Sequence, residues 1–318
     1  MQNKYTIVPM TDEFLKPAAE LLMKNYKNEQ KKSPLLPSRV ITDAEWIYES
    51  QKDVLVNPGV AVVEQNQLVA YMLTAIQFQF KGQQAVLVPE YCHSAVEENK
   101  RELYQRMYMH LSQQWSNNHI HLQMIGHFAH DRVLQDTLYQ IGFGAILAER
   151  LRDLSPLNLQ NAYEIIEEKD VRKLLNLEIE HHSYYSNAPI FIVKSTKPHK
   201  VLDGLLASIE QGDTFFVYYE DDIPCAYMIV GSSAIGGEGF LLQNTNTAQL
   251  KSAYASQKSR GKGIGQALLQ KAIEWANAQG YERIFVEHET ANFYGGKFWN
   301  EHFSPYLYYS MRYIDTAI

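Results

Sequence analysis

The chain has 318 residues, 46% hydrophobic and 20% charged, with a formal net charge of −7 at pH 7. That length fits two domains with real cores, and the acidic balance excludes broad binding to nucleic acid or an anionic membrane surface. Cys92 and Cys225 are the only cysteines, so there is no disulfide framework and no metal cluster, and a reducing compartment fits.

The polar start MQNKYTIVPM is no signal peptide, and no run approaches ~18 apolar residues, so a soluble, cytoplasmic protein is expected. In chain order, residues 5–8 read as a strand. Thr11 reads as the N-cap of a helix burying Phe14, Leu15, Ala18, Leu21 and Leu22. Residues 27–39, with Pro34 and Pro37, read as a loop, and Asp43 as the cap of a second helix carrying Trp46 and Ile47. Residues 59–63 and 68–80 pattern as a hairpin turning at Gln65-Asn66-Gln67, followed by a strand over 85–88. A helix over 98–117, a strand over 121–125, a helix over 131–140 stopped at Gly142 and a strand over 143–148 complete the first half.

The same order then restarts: a strand over 163–166, helices over 171–180 and 201–209, a hairpin of 214–219 with 225–232, and a strand over 248–255. Ala70-Tyr71-Met72 recurs as Ala226-Tyr227-Met228, Trp115 as Trp275 and Ile7 as Ile165, at a nearly constant offset. Three elements repeating in one order argue for duplication, with a boundary near Ser155-Pro156 in the polar stretch SPLNLQN.

The second half carries the stretch with chemical content. Gly261, Gly263 and Gly265 alternate in a turn that opens an amphipathic helix bearing Ala267, Leu268, Leu269, Ala272, Ile273 and Ala276, stopped by Gly280. Glycines let the backbone approach a ligand, and the free N–H groups of a first helical turn bind anions. Arg260 and Lys262 add positive charge, so a phosphate or pyrophosphate seat is expected here. It is no P-loop, because Gln266 and Ala267 follow Gly265, and no dinucleotide fingerprint, because Gln266 stands where a third spaced glycine belongs.

The run Arg260-Gly261-Lys262-Gly263-Ile264-Gly265 sits before Gln266, after the strand AQLKSAYA. It resembles the acyl-CoA loop of the GNAT superfamily of N-acetyltransferases. Asn292, Gly295, Phe298 and Trp299 in ETANFYGGKFW resemble a second stretch of that family. The resemblance covers residues 160–318 by motif and residues 1–155 by pattern. It implies an α/β fold with two tandem domains, each a mixed, mostly antiparallel central sheet flanked by helices. It also implies an acetyl-CoA site made by Ala253, Tyr254, Ala255, residues 260–266, Asn292, Phe298 and Trp299. In the first copy, Ser94 to Asn99 replaces the loop. Glu97 and Glu98 would repel a pyrophosphate, so that copy is expected to lack a cofactor site.

In the resembled family the amine attacks the thioester directly, helped by a general base and often by a tyrosine acid. Glu287 and Glu289 share one face of the strand after the helix and are the candidate bases, with Glu289 preferred. Trp299 stands where many members carry tyrosine, and indole cannot act as a general acid, so Tyr294 is the nearest tyrosine candidate. Tyr184, Tyr185 and Asn187 are candidates for an acceptor pocket, whereas His181-His182 lacks a third metal ligand. The expected activity is acetyl transfer from acetyl-CoA to a primary amine, on a small molecule or a peptide, by a monomer or homodimer. A non-catalytic acyl-CoA sensor is the alternative.

Overall fold

A computed structural model describes residues 4–80, 82–233 and 239–315. The chain divides into two units, Met1–Ala148 with Pro305–Ile318, and Glu149–Ser304. Among the described residues no helix is long and apolar enough to cross a membrane.

The first unit starts with β1 (Thr6–Pro9) and α1 (Asp12–Gln30), which buries Leu15, Ala18, Leu22 and Tyr26 on one face. Thr11 takes the N-cap position, but its hydroxyl bonds to Glu13 instead of a helix amide. After α2 (Arg39–Thr42), Asp43 caps α3 (Ala44–Val54) by accepting from the Trp46 amide at 3.1 Å. β2 (Gly59–Glu64) and β3 (Gln67–Leu73) form the expected hairpin, with Gln65 and Asn66 at positive φ. The strand expected to run on to Phe80 breaks at Thr74, whose hydroxyl accepts from the Trp115 indole at 3.0 Å. It resumes as β4 (Ile76–Phe80), which pairs with β5 (Gln83–Val88).

A short strand that the pattern did not announce, β6 (His93–Ala95), precedes α4 (Lys100–Asn117), β7 (Leu122–Phe128), α5 (Arg132–Gln140) and β8 (Gly144–Arg152). Strands β1, β2, β3 and β6 make one antiparallel sheet. In the same unit β7 lies between β5, parallel to it, and the last strand of the chain, β14 (Ser304–Tyr313), antiparallel to it.

The second unit contains β9 (Ile165–Glu167), a 3-10 turn, α6 (Leu175–Tyr185), α7 (Pro198–Glu210), β10 (Thr214–Glu220), β11 (Ile223–Ser232) and β12 (Thr247–Ala255). α8 (Ile264–Ala278), β13 (Arg283–Glu289) and α9 (Phe293–His302) follow. The strand order is β13-β12-β11-β10-β9, with β12 and β13 parallel and the rest antiparallel. Strand alternation splits the apolar residues between two layers. Met228, Val230, Leu250 and Val286 pack with Leu268, Leu269, Ala272 and Ile273 of α8 on one face. Phe215, Val217 and Ile229 pack with Leu177 and Leu205 on the other. Each fully buried leucine of this kind contributes roughly 1.5–3 kcal/mol relative to exposure, so the α8 stripe alone fixes the helix against the sheet.

Candidate functional site

Parallel pairing of β12 with β13 runs only from Thr247 opposite Arg283 to Leu250 opposite Val286. On its other side, β12 places Leu250 opposite Val230 but Ser252 opposite Ile229, so Lys251 is an extra residue. Such a bulge bends the strand that carries it. Beyond it β12 runs on to Ala255 and β13 to Glu289, with no pairing between them. A cavity of about 620 Å³ opens there, within the second unit.

The glycine loop closes one end of this cavity. Gly261 and Gly263 have φ of +73° and +89°, values open to glycine but strained for other residues. Among the described residues no carbonyl accepts from the amides of Gly261, Lys262, Gly263, Ile264 or Gly265. These donors, at the positive end of α8, suit an anion that carries several acceptor oxygens. Gly261, Gly263, Ile264, Gly265 and Gln266 line the cavity. Lys262 instead lines an adjoining pocket of about 200 Å³ with Gln160 and Asn161.

The walls bring together the other residues expected at a cofactor site. Ala253, Tyr254 and Ala255 line the cavity along the stretch of β12 that pairs with β11 but not with β13. Arg260 lines it too, but its Nε donates to the Ala255 carbonyl at 2.9 Å, and its guanidinium lies over the rings of Tyr184 and Tyr254. Phe298 and Trp299 project from α9, and Trp299 is also part of the core beneath. Asn292 lines the cavity as well; its Oδ1 caps α9 through the Gly295 amide at 3.1 Å and accepts from the Tyr184 hydroxyl at 2.8 Å.

Of the candidate acid–base residues, Glu287 lines the cavity. Glu289 is not among the lining residues, though after burial its charge also helps raise the pKa of Tyr185, which does line the cavity. Tyr294 lines the cavity from the first turn of α9 and is 69% exposed. His288, between the two glutamates, is buried: its Nε2 accepts from Arg150 Nε at 3.0 Å, and its Nδ1–H donates to the Glu289 carbonyl at 3.1 Å. Burial holds its pKa down at about 4, so the ring is neutral at pH 7. Burial also raises the pKa values of Tyr184 and Tyr185 and, with Glu180, pushes Tyr254 up to about 12, so these phenols stay protonated.

A group that sequence reading passed over lies on the same cavity. His181 and Tyr227 line it; His181 Nδ1 is 2.7 Å from the Tyr227 hydroxyl, which also donates to Glu178 Oε2. Tyr227 is further bonded to Ser252 Oγ at 3.1 Å, and the His181 ring stacks on Tyr254 with centroids 4.8 Å apart. The i, i+3 spacing of Glu178 and His181 was the available signal. It became informative only once β11 and β12 were known to pass beside α6.

The matching junction of the first unit is built differently. Lys100, at the start of α4, is buried between Glu97 at 3.0 Å and Asp131 at 2.7 Å, and Glu98 pairs with Lys4. His93 of β6 bonds through Nε2 to the Gly126 carbonyl of β7 at 2.6 Å. A side chain thus bridges the two strands whose counterparts in the second unit part to form the cavity.

Residues 175–303 match the family model described as "Acetyltransferase (GNAT) family". No curated protein matches the chain. A GCN5-related N-acetyltransferase from Sphaerobacter thermophilus matches in structure, with a TM-score of 0.62 at 12% identity, over 100% of this chain and 98% of that one. A glucosamine N-acetyltransferase region of a fungal multi-domain beta-N-acetylglucosaminidase matches with a TM-score of 0.53 at 10% identity, over 98% of this chain and 38% of that one. A tandem GNAT protein from the clavulanic acid biosynthesis pathway matches over 97% of this chain and 98% of that one, with a TM-score of 0.49 at 11% identity. Residues 175–303 are therefore similar to the GNAT family of acetyltransferases, and the chain shares its fold along its whole length with the GCN5-related N-acetyltransferase from Sphaerobacter thermophilus.

Proposed function

We propose that the second unit transfers an acetyl group from acetyl-CoA to a primary amine by direct attack on the thioester. The family and fold support acyl transfer from acyl-CoA. The observation that carries the finer reading is one cavity in which the unpaired edge of β12 meets the free amides of residues 261–265. The pyrophosphate sits on those amides, and the pantetheine arm hydrogen-bonds along the β12 backbone from Ala255 toward Ser252. Phe298 and Trp299 cover the apolar side of the arm. Glu287 and Glu289 favour a cationic amine by charge, and the departing thiolate can take its proton from Tyr294 or from water.

The test is thiol release by the full chain from acetyl-CoA across an amine panel of polyamines, aminoglycosides, amino acids and a peptide N-terminus. Mass spectrometry of the product identifies the acceptor. Turnover with at least one amine is expected. Tight binding of acetyl-CoA without turnover would favour the sensor, and no binding would overturn both readings.

A further inference from the structure

We infer that His181 takes the proton from the acceptor amine, with Tyr227 and Glu178 holding its ring in the tautomer that leaves Nε2 free to do so. The inference rests on the acyl-transfer reading above and adds to it a residue on α6, away from the glutamates of β13.

The hydrogen bonds fix the tautomer. An ionised carboxylate only accepts, so the Tyr227 hydroxyl spends its single proton on Glu178 Oε2. Toward His181 Nδ1, 2.7 Å away, the Tyr227 oxygen must then accept, which places the proton on Nδ1. Nε2 is left with its lone pair and makes no hydrogen bond among the described residues, on a ring that lines the cavity. Burial of Glu178 would favour its neutral form, but bonds from His181 and Tyr227 and the nearby His182 outweigh that and keep its pKa low.

The position is fixed as well as the tautomer. Tyr227 is tied to Ser252 Oγ, and the His181 ring stacks on Tyr254, so the imidazole is anchored to the stretch of β12 that has parted from β13. Ser252 to Ala255 spans roughly 10 Å at strand rise. An extended pantetheine arm that starts at the glycine loop is longer than that, so a thioester at its end would reach the stretch of β12 to which His181 is anchored.

The surroundings keep the ring neutral. Burial lowers its pKa; Glu178 opposes that, while Lys194 and His182 add to it. The other ionisable groups facing the ring are Tyr185 on the same helix, Tyr227 on β11 and Tyr254 on β12, all protonated at pH 7. Because the ring is neutral at pH 7, Nε2 can accept a proton without first losing one. In the step itself the amine nitrogen bonds to the acetyl carbon, and the carbon–sulfur bond breaks. The ammonium gives one proton to Nε2 before attack, and the imidazolium releases it to water; the second proton lost from nitrogen goes to the departing thiolate, leaving amide and free thiol.

The experiment measures thiol release by full-length wild type and His181→Gln with two nucleophiles. One is a primary alkylamine, protonated at pH 7; the other is hydroxylamine, which is neutral there and needs no base before attack. The expected result is a loss of about 10²–10⁴-fold with the alkylamine, a far smaller loss with hydroxylamine, and unchanged acetyl-CoA affinity by calorimetry. In wild type, kcat/KM with the alkylamine, which stays an ammonium throughout, should fall below the ordinary imidazole range as His181 is protonated, and the variant should lose that limb.

Equal losses with both nucleophiles would make His181 structural and overturn the inference, and an unchanged alkylamine rate would do the same while leaving the transferase reading intact. Wild type that turns over no amine overturns the transferase reading and this inference with it. If His181→Gln fails to fold, Tyr227→Phe carries the same comparison. It keeps the ring and removes only the oxygen that fixes the tautomer, and equal losses there would again overturn the inference.

Discussion

Gly263 and Gly265 are two residues apart and constrained for opposite reasons. A Cβ on Gly263 would have room, its nearest neighbour being Tyr163 at 3.8 Å, but the φ of +89° is strained for any L side chain. A Cβ on Gly265 would lie 3.3 Å from the Phe298 ring and so disturb the cavity wall. Gly263→Val therefore acts on the backbone that aims the loop amides. Strain of about 1–3 kcal/mol is expected there, and the loop escapes it by re-orienting those amides. The prediction is a folded protein with acetyl-CoA affinity lowered at least tenfold by calorimetry; unchanged affinity would remove the loop from the site. At the acceptor end, Glu289→Gln keeps the size of the side chain and loses only charge. It should raise KM for a cationic amine several-fold, more so at low salt, with kcat nearly kept. Tyr294→Phe, at a residue 69% exposed, should change kcat less than twofold. A Tyr294→Phe loss exceeding that of Glu289→Gln in steady-state kinetics would reverse these roles.

At the level of elements, legibility followed whether the cause of a feature was local. The β2–β3 hairpin, the Asp43 cap and α8 with its glycine stop were readable because turn residues, cap chemistry and apolar period lie within a few positions of each other. The break after Leu73 was not, because Trp115, far along the chain, holds Thr74. β6, at three residues, is too short for alternation to mark. The parting of β12 from β13 comes from one inserted residue, Lys251, whose effect exists only relative to the register of β11. The same holds for the site: the loop was visible in sequence, while the His181–Tyr227–Glu178 group needed three elements to be brought together. Asn292 illustrates a residue found for one reason and held for another. It stood out as part of a family-like stretch, and it caps α9 while accepting from Tyr184. Asn292→Ala should cost about 1 kcal/mol in urea unfolding, from the lost cap, and Asn292→Asp, which caps equally well, should recover it. Failure of the aspartate to recover stability would mean that the cap is not what Asn292 contributes.

For the whole molecule, the chain order and the spatial units part company at the end: Pro305–Ile318 goes with Met1–Ala148, where β14 pairs with β7. Local pattern marks a strand there, but no pattern within a strand names its partner. The two units share a sensitivity to acid, because each holds a buried neutral histidine with both ring nitrogens engaged. In the first, His93 Nε2–H donates to the Gly126 carbonyl while Nδ1 faces the Tyr104 hydroxyl at 2.9 Å. In the second, His288 Nε2 accepts from Arg150 Nε, so protonation would set two donors against each other. Burial lowers both pKa values from 6.5 to about 4. Between those values the unfolded chain binds more protons than the folded one, so stability falls as pH falls. The contribution is fully present above pH 6.5, is lost progressively toward pH 4, and amounts to roughly 3 kcal/mol per histidine. Urea midpoints measured from pH 7.5 to 4 should therefore be flat at first and then decline through that window. His288→Gln, whose amide oxygen can still accept from Arg150, should lessen the decline for the second unit, where buried His181 still contributes, and leave that of the first. A midpoint that stays constant down to pH 4.5 would mean that neither imidazole is held neutral by the bonds described.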